Sequence, residues 1–289
     1  MTRRYCVFIL THGRPDNVLT LKTLQKCGYT GDWFIVIDDM DKTADRYIQN
    51  FGEDRVIVFD KKAVAQTFDI ADLSDDYRSV VFARNVTFDL AKKRGYTHFV
   101  EMDDDYDSIR FRFNKGDILG YHEVTNADDV FEAMYDFLAN TGASAVAFGQ
   151  SGDLLGGIGG FTWRKDRIKR KAMNAIFCRT SDDWRFLGRV NEDVNTYTTL
   201  ATRGHVFMST MDVTLNQAAS QSQSGGMTEL YRNEGTYQKS MYPVMMCPSA
   251  VQIDAMASNS TRIHHRVSWD NCTPKILSES YRRTAVLDG

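Results

Sequence analysis

The 289-residue chain has no long apolar run, no C-x-x-C pair among its five cysteines, and a formal net charge of only −3 at pH 7. Each absence removes a class of protein. A membrane-spanning helix needs about 20 consecutive apolar residues, and the opening M-T-R-R-Y-C-V-F-I-L-T-H turns polar too early for a secretory leader. A soluble, cytoplasmic protein is therefore expected. Cys6, Cys27, Cys178, Cys247 and Cys272 are odd in number and scattered, which argues against a disulfide framework or a zinc site and predicts reduced, mostly buried thiols. A near-neutral charge balance excludes a generally basic nucleic-acid coat but allows local patches. The glycine-dense Gly156-Gly157-Ile158-Gly159-Gly160-Phe161 is not followed by Lys-Ser/Thr, so it is no P-loop. Its glycines leave bare backbone for a ligand or a moving loop.

What is present centres on Tyr96 to Asp107, Y-T-H-F-V-E-M-D-D-D-Y-D. Thr97 to Val100 read as a strand, with Asp103, Asp104 and Asp105 at its C-terminal edge. Ligands of open α/β sheets bind outside that edge. Three adjacent like charges are naturally neutralised by a hard divalent cation, often one that carries substrate phosphates; spacing alone fits equally an acidic turn that faces water.

Upstream, Tyr5 to Leu10 is nearly all apolar, as in a parallel strand covered on both faces. It ends in Thr11-His12-Gly13-Arg14-Pro15, and Asp16 or Asn17 is positioned to cap a helix that Gly28 stops. Strands Trp33 to Ile37 and Arg55 to Phe59 follow, separated by a short helix over 43–51. This β-α-β-α-β order predicts a parallel sheet with right-handed crossovers. A helix over about 76–93 carries Arg84. Downstream, alternation from Ile109 to Val124 around Asn114-Lys115-Gly116 predicts a hairpin. A helix over 127–139, capped by Asn126, and a strand over 143–148 come next. Glu192 and Asp193 sit in the first turn of a helix over about 191–202, where acids favour the dipole and where a general base would also be useful. Segment 220–226 reads as flexible and polar.

Two further clusters stand out. Trp163-Arg164-Lys165-Asp166-Arg167-Ile168-Lys169-Arg170-Lys171 is densely basic and suits contact with a phosphate backbone, with Trp163 placed to stack on a base; a solvated face is the alternative. His264-His265, flanked by Arg262 and Arg266, is a candidate for a ligand pair or for surface filler.

Taken in order, F-I-L-T-H-G-R-P-D-N-V, V-V-F-A-R-N, D-x-D at Asp103 to Asp105, the glycine-rich loop and Glu192-Asp193 resemble the TET-associated glycosyltransferases of bacteriophages, which decorate hypermodified DNA bases. The resemblance covers roughly the first 200 residues plus the histidine pair. It implies a GT-A type α/β fold: a Rossmann-like, mostly parallel central sheet flanked by helices, with a smaller acceptor-side sheet. One domain is expected over 1–289, with a nucleotide-sugar half at 1–105 and an acceptor half at 106–289. The implied reaction is metal-dependent, inverting transfer from a UDP-sugar to the hydroxymethyl group of 5-hydroxymethylcytosine in double-stranded phage DNA, in the host cytoplasm.

By position, Thr11 and Arg14 would meet the nucleotide, Asp38 would accept from the uracil N–H, and Arg84 would face the diphosphate. Asp103 would lie near ribose and metal. Asp105, with His264 or His265, would ligate Mn²⁺ or Mg²⁺, and Gly159 and Gly160 would admit the donor sugar. Asp193, beside Glu192, would be the base. Arg164, Lys165, Arg167, Lys169, Arg170 and Lys171 would hold DNA. Trp163, Tyr106 and Phe161 are candidates to stack on a flipped base, with Phe161 read as core. A non-DNA acceptor and a non-catalytic binder of modified DNA are the competing functions. Sugar-nucleotide pyrophosphorylases fit less well, because T-H-G-R-P-D does not match their glycine-rich basic signature.

Overall fold

A computed structural model describes residues 3–71, 76–217, 227–257 and 261–275. Its first part alternates strand and helix: β1 (Tyr5–Leu10), α1 (Leu19–Lys26), β2 (Asp32–Asp38), α2 (Ala44–Phe51), β3 (Val56–Phe59), α3 (Lys61–Ala65), α4 (Val81–Lys93) and β4 (His98–Asp103). There follow β5 (Tyr106–Lys115), β6 (Ile118–Glu123), α5 (Ala127–Thr141), β7 (Ala145–Gln150), α6 (Phe161–Lys165), β8 (Ile168–Lys169), β9 (Asn174–Arg179), α7 (Glu192–Ala201), β10 (Phe207–Gln217), α8 (Met227–Met246), β11 (Val251–Ala257) and β12 (Thr261–Val267).

β1 is apolar throughout because it is covered on both faces. Val7 and Ile9 pack with Leu21, Tyr47, Phe131 and Met134 on one side, while Cys6, Phe8 and Leu10 pack with Phe82, Phe88 and Tyr197 on the other. Between them these two layers bury the parallel set β3-β2-β1-β4. The order makes β1 a switch point. The crossover from β1 to β2 leaves in one direction and the crossover from β3 to β4 passes to the other side, so a crevice opens where β1 and β4 end. Leu10 is in register there with Asp103, which brings Thr11 to Arg14 and the three aspartates to one edge.

The sheet continues as β4-β9-β7-β10-β5-β6, with β8 beside β10. β9 runs antiparallel to both β4 and β7, and β10 runs parallel to β7 and antiparallel to β5. A separate antiparallel pair, β11 and β12, lies against α8.

Local chemistry moves two helix starts. Asp76 Oδ1 accepts from the Arg78 backbone N–H at 2.9 Å, a side-chain turn that competes with helix, and α4 begins only at Val81. α1 begins at Leu19 without a side-chain cap, because Asp16 is engaged instead by Arg46 and Asn50. The Asn126 cap does form, accepting from Asp129 N–H at 3.2 Å. All five cysteines are free and buried. Among the described residues no helix is long and apolar enough to cross a membrane. Segment 220–226 lies outside them.

Candidate active site

At the crevice the middle aspartate is an internal hub. Asp104, 4% exposed, accepts from Thr11 Oγ1 at 2.5 Å and from Arg14 Nη1 at 2.9 Å. The Tyr47 hydroxyl bridges the same loop, donating to Thr11 Oγ1 at 2.9 Å and accepting from Arg14 N–H at 2.8 Å. Thr11 and Arg14 thus lie on the crevice edge as expected, and both are fixed by Asp104.

Asp38 is turned inward. Its Oδ2 receives His12 Nδ1 at 2.8 Å and Lys61 Nζ at 2.9 Å, and its Oδ1 receives the Met40 N–H at 3.1 Å. Three of a carboxylate's roughly four acceptor sites are therefore filled. Asp38 thereby orients His12, the more exposed partner of the pair. Burial opposes ionisation of Asp38, but hydrogen bonds and charge from His12 and Lys61 prevail and hold it at about 2, below 3.8. Its stabilisation is present above pH 3.8 and is lost as pH falls through about 2. The His12 bond to Asp38, against a burial cost, raises the imidazole above 6.5, so that contribution is complete below pH 6.5 and lost as pH rises through the folded value. Asp38→Asn leaves buried Lys61 uncompensated and is expected to cost about 3–5 kcal/mol. Urea unfolding at neutral pH measures that cost, and a series into acid should show the Asp38-dependent slope lost.

Beneath the acidic turn lies one buried guanidinium among three carboxylates. Arg84, 3% exposed, sends Nε to Glu192 at 3.1 Å, Nη1 to Glu101 at 3.4 Å and Nη2 to Asp103 at 3.0 Å. Tyr106 donates to Asp103 at 3.2 Å. Burial disfavours the charged guanidinium, yet these acids raise its pKa well above the ordinary arginine value. Arg84, expected to face the diphosphate, is in this structure the shared counter-ion of these three acids. For Glu101, burial outweighs Arg84 and Thr87 and pushes the carboxyl up to about 8.

Asp105 differs from its neighbours. Among the described residues both its oxygens accept from the neutral Gln217 amide alone, each at 3.0 Å, while burial and the charge of Asp103 push it up to about 6. A half-buried carboxylate repelled by its acidic neighbours, in no ion pair among the described residues and with only the charge of Arg14 opposing that repulsion, suits a hard divalent ion. Magnesium-type sites commonly use one or two carboxylates, with phosphates and water completing the shell, so Asp103 and Asp105 fit. Among the described residues no third His, Cys, Asp or Glu joins such a group. His264 and His265, expected to complete the metal shell, lie on β12 with ring centroids 4.3 Å apart.

Asp193 opens α7 beside Glu192. Burial, with the charge of Asp193 behind it, raises Glu192, while Arg84 opposes the shift. Burial also raises Asp193, against a backbone hydrogen bond and the charges of Arg84, Lys239 and Lys171. Glu192 is committed to Arg84. Asp193 has no side-chain hydrogen-bond partner among the described residues, and a raised carboxylate that no side chain binds is suited to act as a general base.

The remaining expectations divide. A Cβ on Gly160 would meet the Leu155 carbonyl oxygen at 2.4 Å, whereas Gly159 has open space; Gly160 is demanded by its own loop. Tyr106 and Trp163 are 1% and 3% exposed and Phe161 is 68% exposed, which reverses the expectation that Phe161 is core. Trp163 donates to Asn114 and lies under Arg167, so it cannot stack on a base. In the basic run, Lys169 pairs with Asp166, Lys171 with Asp153 and Arg167 with Asp212, while Arg170 bonds the Trp269 carbonyl. Arg164 and Lys165 are exposed without an ion pair among the described residues.

A mixed α/β sheet with its crevice at a switch point, lined by paired carboxylates, is the architecture of a GT-A type glycosyltransferase. The chain belongs to the TET-associated glycosyltransferase family, whose model matches residues 5–226. No curated protein sequence matches it. Solved structures similar to it include glucosyl-3-phosphoglycerate synthase from Mycobacterium tuberculosis in complex with Mg²⁺ and UDP, at 9% identity and a TM-score of 0.46, with 93% of this chain and 91% of that one covered. S. aureus TarS 1-349 is similar at 13% identity and a TM-score of 0.39, covering 73% and 59% of the two chains.

Proposed function

We propose that this glycosyltransferase moves a sugar from a UDP-sugar to the hydroxymethyl oxygen of 5-hydroxymethylcytosine in bacteriophage DNA, with inversion at the anomeric carbon. The observation that carries the reading is the Asp193 carboxylate, raised by burial and bound by no side chain among the described residues, in the same charged cluster as Arg84 and Asp103. In the proposed step Asp193 takes the acceptor proton as the hydroxymethyl oxygen bonds the anomeric carbon. The bond from that carbon to the diphosphate oxygen breaks, and its electron pair leaves with UDP. Mn²⁺ or Mg²⁺ held by Asp103 and Asp105 would supply positive charge to the departing diphosphate.

Residues 1–105 form the donor half in this reading, with Thr11, Arg14 and the His12–Asp38 pair at the nucleotide and Gly159 leaving room for the sugar. Residues 106–289 form the acceptor half, in which Arg164 and Lys165 remain available to DNA. Glu192, through Arg84, positions the acidic turn.

Incubation of 5-hydroxymethylcytosine DNA with Mn²⁺ and a panel of UDP-sugars, followed by nucleoside mass spectrometry, tests the reading. One sugar mass should be gained on the modified base, and EDTA should abolish the gain. UDP binding with no gain on DNA, but turnover on another hydroxylated acceptor, would remove DNA from the proposal.

A further inference from the structure

The β5–β6 hairpin carries an arrangement that the reaction does not use. Arg110 and Arg112 lie on one face of β5, two residues and so about 6.8 Å apart, and Tyr121, opposite Arg112 on β6, supports both. Their guanidinium carbons stand 4.4 and 5.5 Å from its ring centroid. Neither arginine has a carboxylate in ion-pair contact among the described residues. Arg112 gives its protons to hydroxyls, Thr214 Oγ1 at 2.8 Å and Ser151 Oγ at 2.7 Å. Arg110 Nε is buried without an acceptor among the described residues. Glu123, the cross-strand neighbour of Arg110, is engaged by Lys26 at 2.5 Å, and Asp107 is held by Asn216.

Two neighbouring guanidiniums with no anion between them repel each other and await one. The surrounding surface has matching chemistry. Tyr121 is 49% exposed and Phe161 68% exposed, and the loop that carries Phe161, Arg164 and Lys165 is fastened to the hairpin by Trp163, Leu119 and Leu154 and by the bond from Trp163 to Asn114. Arginines without acids, beside exposed aromatics, suit phosphodiesters and bases. β5 starts at Tyr106, which bonds Asp103, so the arginines lie about 14 and 20 Å along the strand from the acidic turn. Only an extended acceptor reaches both places.

The geometry points to Arg110, Arg112 and Tyr121 as a phosphodiester-binding track that holds the DNA acceptor outside the catalytic crevice. This rests on the proposed DNA acceptor and moves the main backbone contact from the largely self-paired run at 164–171 to the hairpin. Fluorescence anisotropy of the full chain with a labelled, unmodified duplex over a range of NaCl tests it. Arg110→Gln/Arg112→Gln should raise Kd about tenfold or more and flatten the salt slope by about 1.8, for two lost phosphate contacts. The corresponding lysine pair should restore the slope, and Arg167→Gln should change Kd less than about twofold. Mass spectrometry of arginines modified by phenylglyoxal, with and without DNA, gives a readout on the unaltered protein: Arg110 and Arg112 should be protected. Wild-type Kd and slope in the glutamine pair, or unprotected arginines on bound DNA, overturn the track while sugar transfer to DNA still stands. A wild-type chain that neither binds nor modifies DNA overturns both.

Discussion

Asp193→Asn is expected to lower kcat by about 10²- to 10⁴-fold, the usual contribution of a positioned base, while UDP binding changes little. The substitution keeps the shape and removes the basic oxygen. It also removes one of two adjacent buried charges, so Glu192 ionises more readily and the fold should be no less stable. A steady-state comparison at saturating donor, with a thermal melt of both proteins, measures each part. Unchanged kcat would end the inverting proposal and favour a route in which the leaving diphosphate assists deprotonation.

The second large effect is on stability. Arg84→Leu would leave Glu101, Asp103 and Glu192 facing one another without their shared cation, and removing one partner of a buried ion cluster costs about 3–5 kcal/mol. Typical domains have about 5–15 kcal/mol in all, so the variant should unfold at much lower urea and its carboxyls should titrate higher. Above about pH 8, where Glu101 would otherwise ionise without its counter-ion, Arg84→Leu/Glu101→Gln should recover part of the loss. An equal loss in the single and double variants would mean that Glu101 is uncoupled from Arg84, contrary to their 3.4 Å contact.

The parallel half was legible because its signal is local. Doubly covered strands are continuous apolar runs, and each ends in polar residues that sit at the crevice. β10 and β9 gave weaker signals. β10 buries Ser209, Thr210 and Thr214 among its apolar residues, which blurs the alternation, and β9 is six residues long between irregular segments. α6, at five residues, is too short for helical period to tell which aromatic points inward; hence Phe161 and Trp163 were exchanged.

At the candidate site, residue type and position marked Asp103 and Asp105 at a strand end and Asp193 at a helix start as candidates. Their partners were not readable: Arg84 meets Glu192 across 108 positions and Thr11 meets Asp104 across 93. Nothing in the local pattern distinguishes a carboxylate that will be neutralised from inside from one left for a ligand. His12 was hidden for the same reason, since its role depends on Asp38 and Lys61.

Successive aspartates 103, 104 and 105 reach three different parts of the chain: Arg84 on α4, the loop after β1, and Gln217 at the end of β10. A three-residue turn therefore works as a keystone between segments that are far apart in sequence. Exchanging the loop at 11–14 for that of a relative would move one foot of this support. Such a graft should transfer only together with the residue at 104 that receives it.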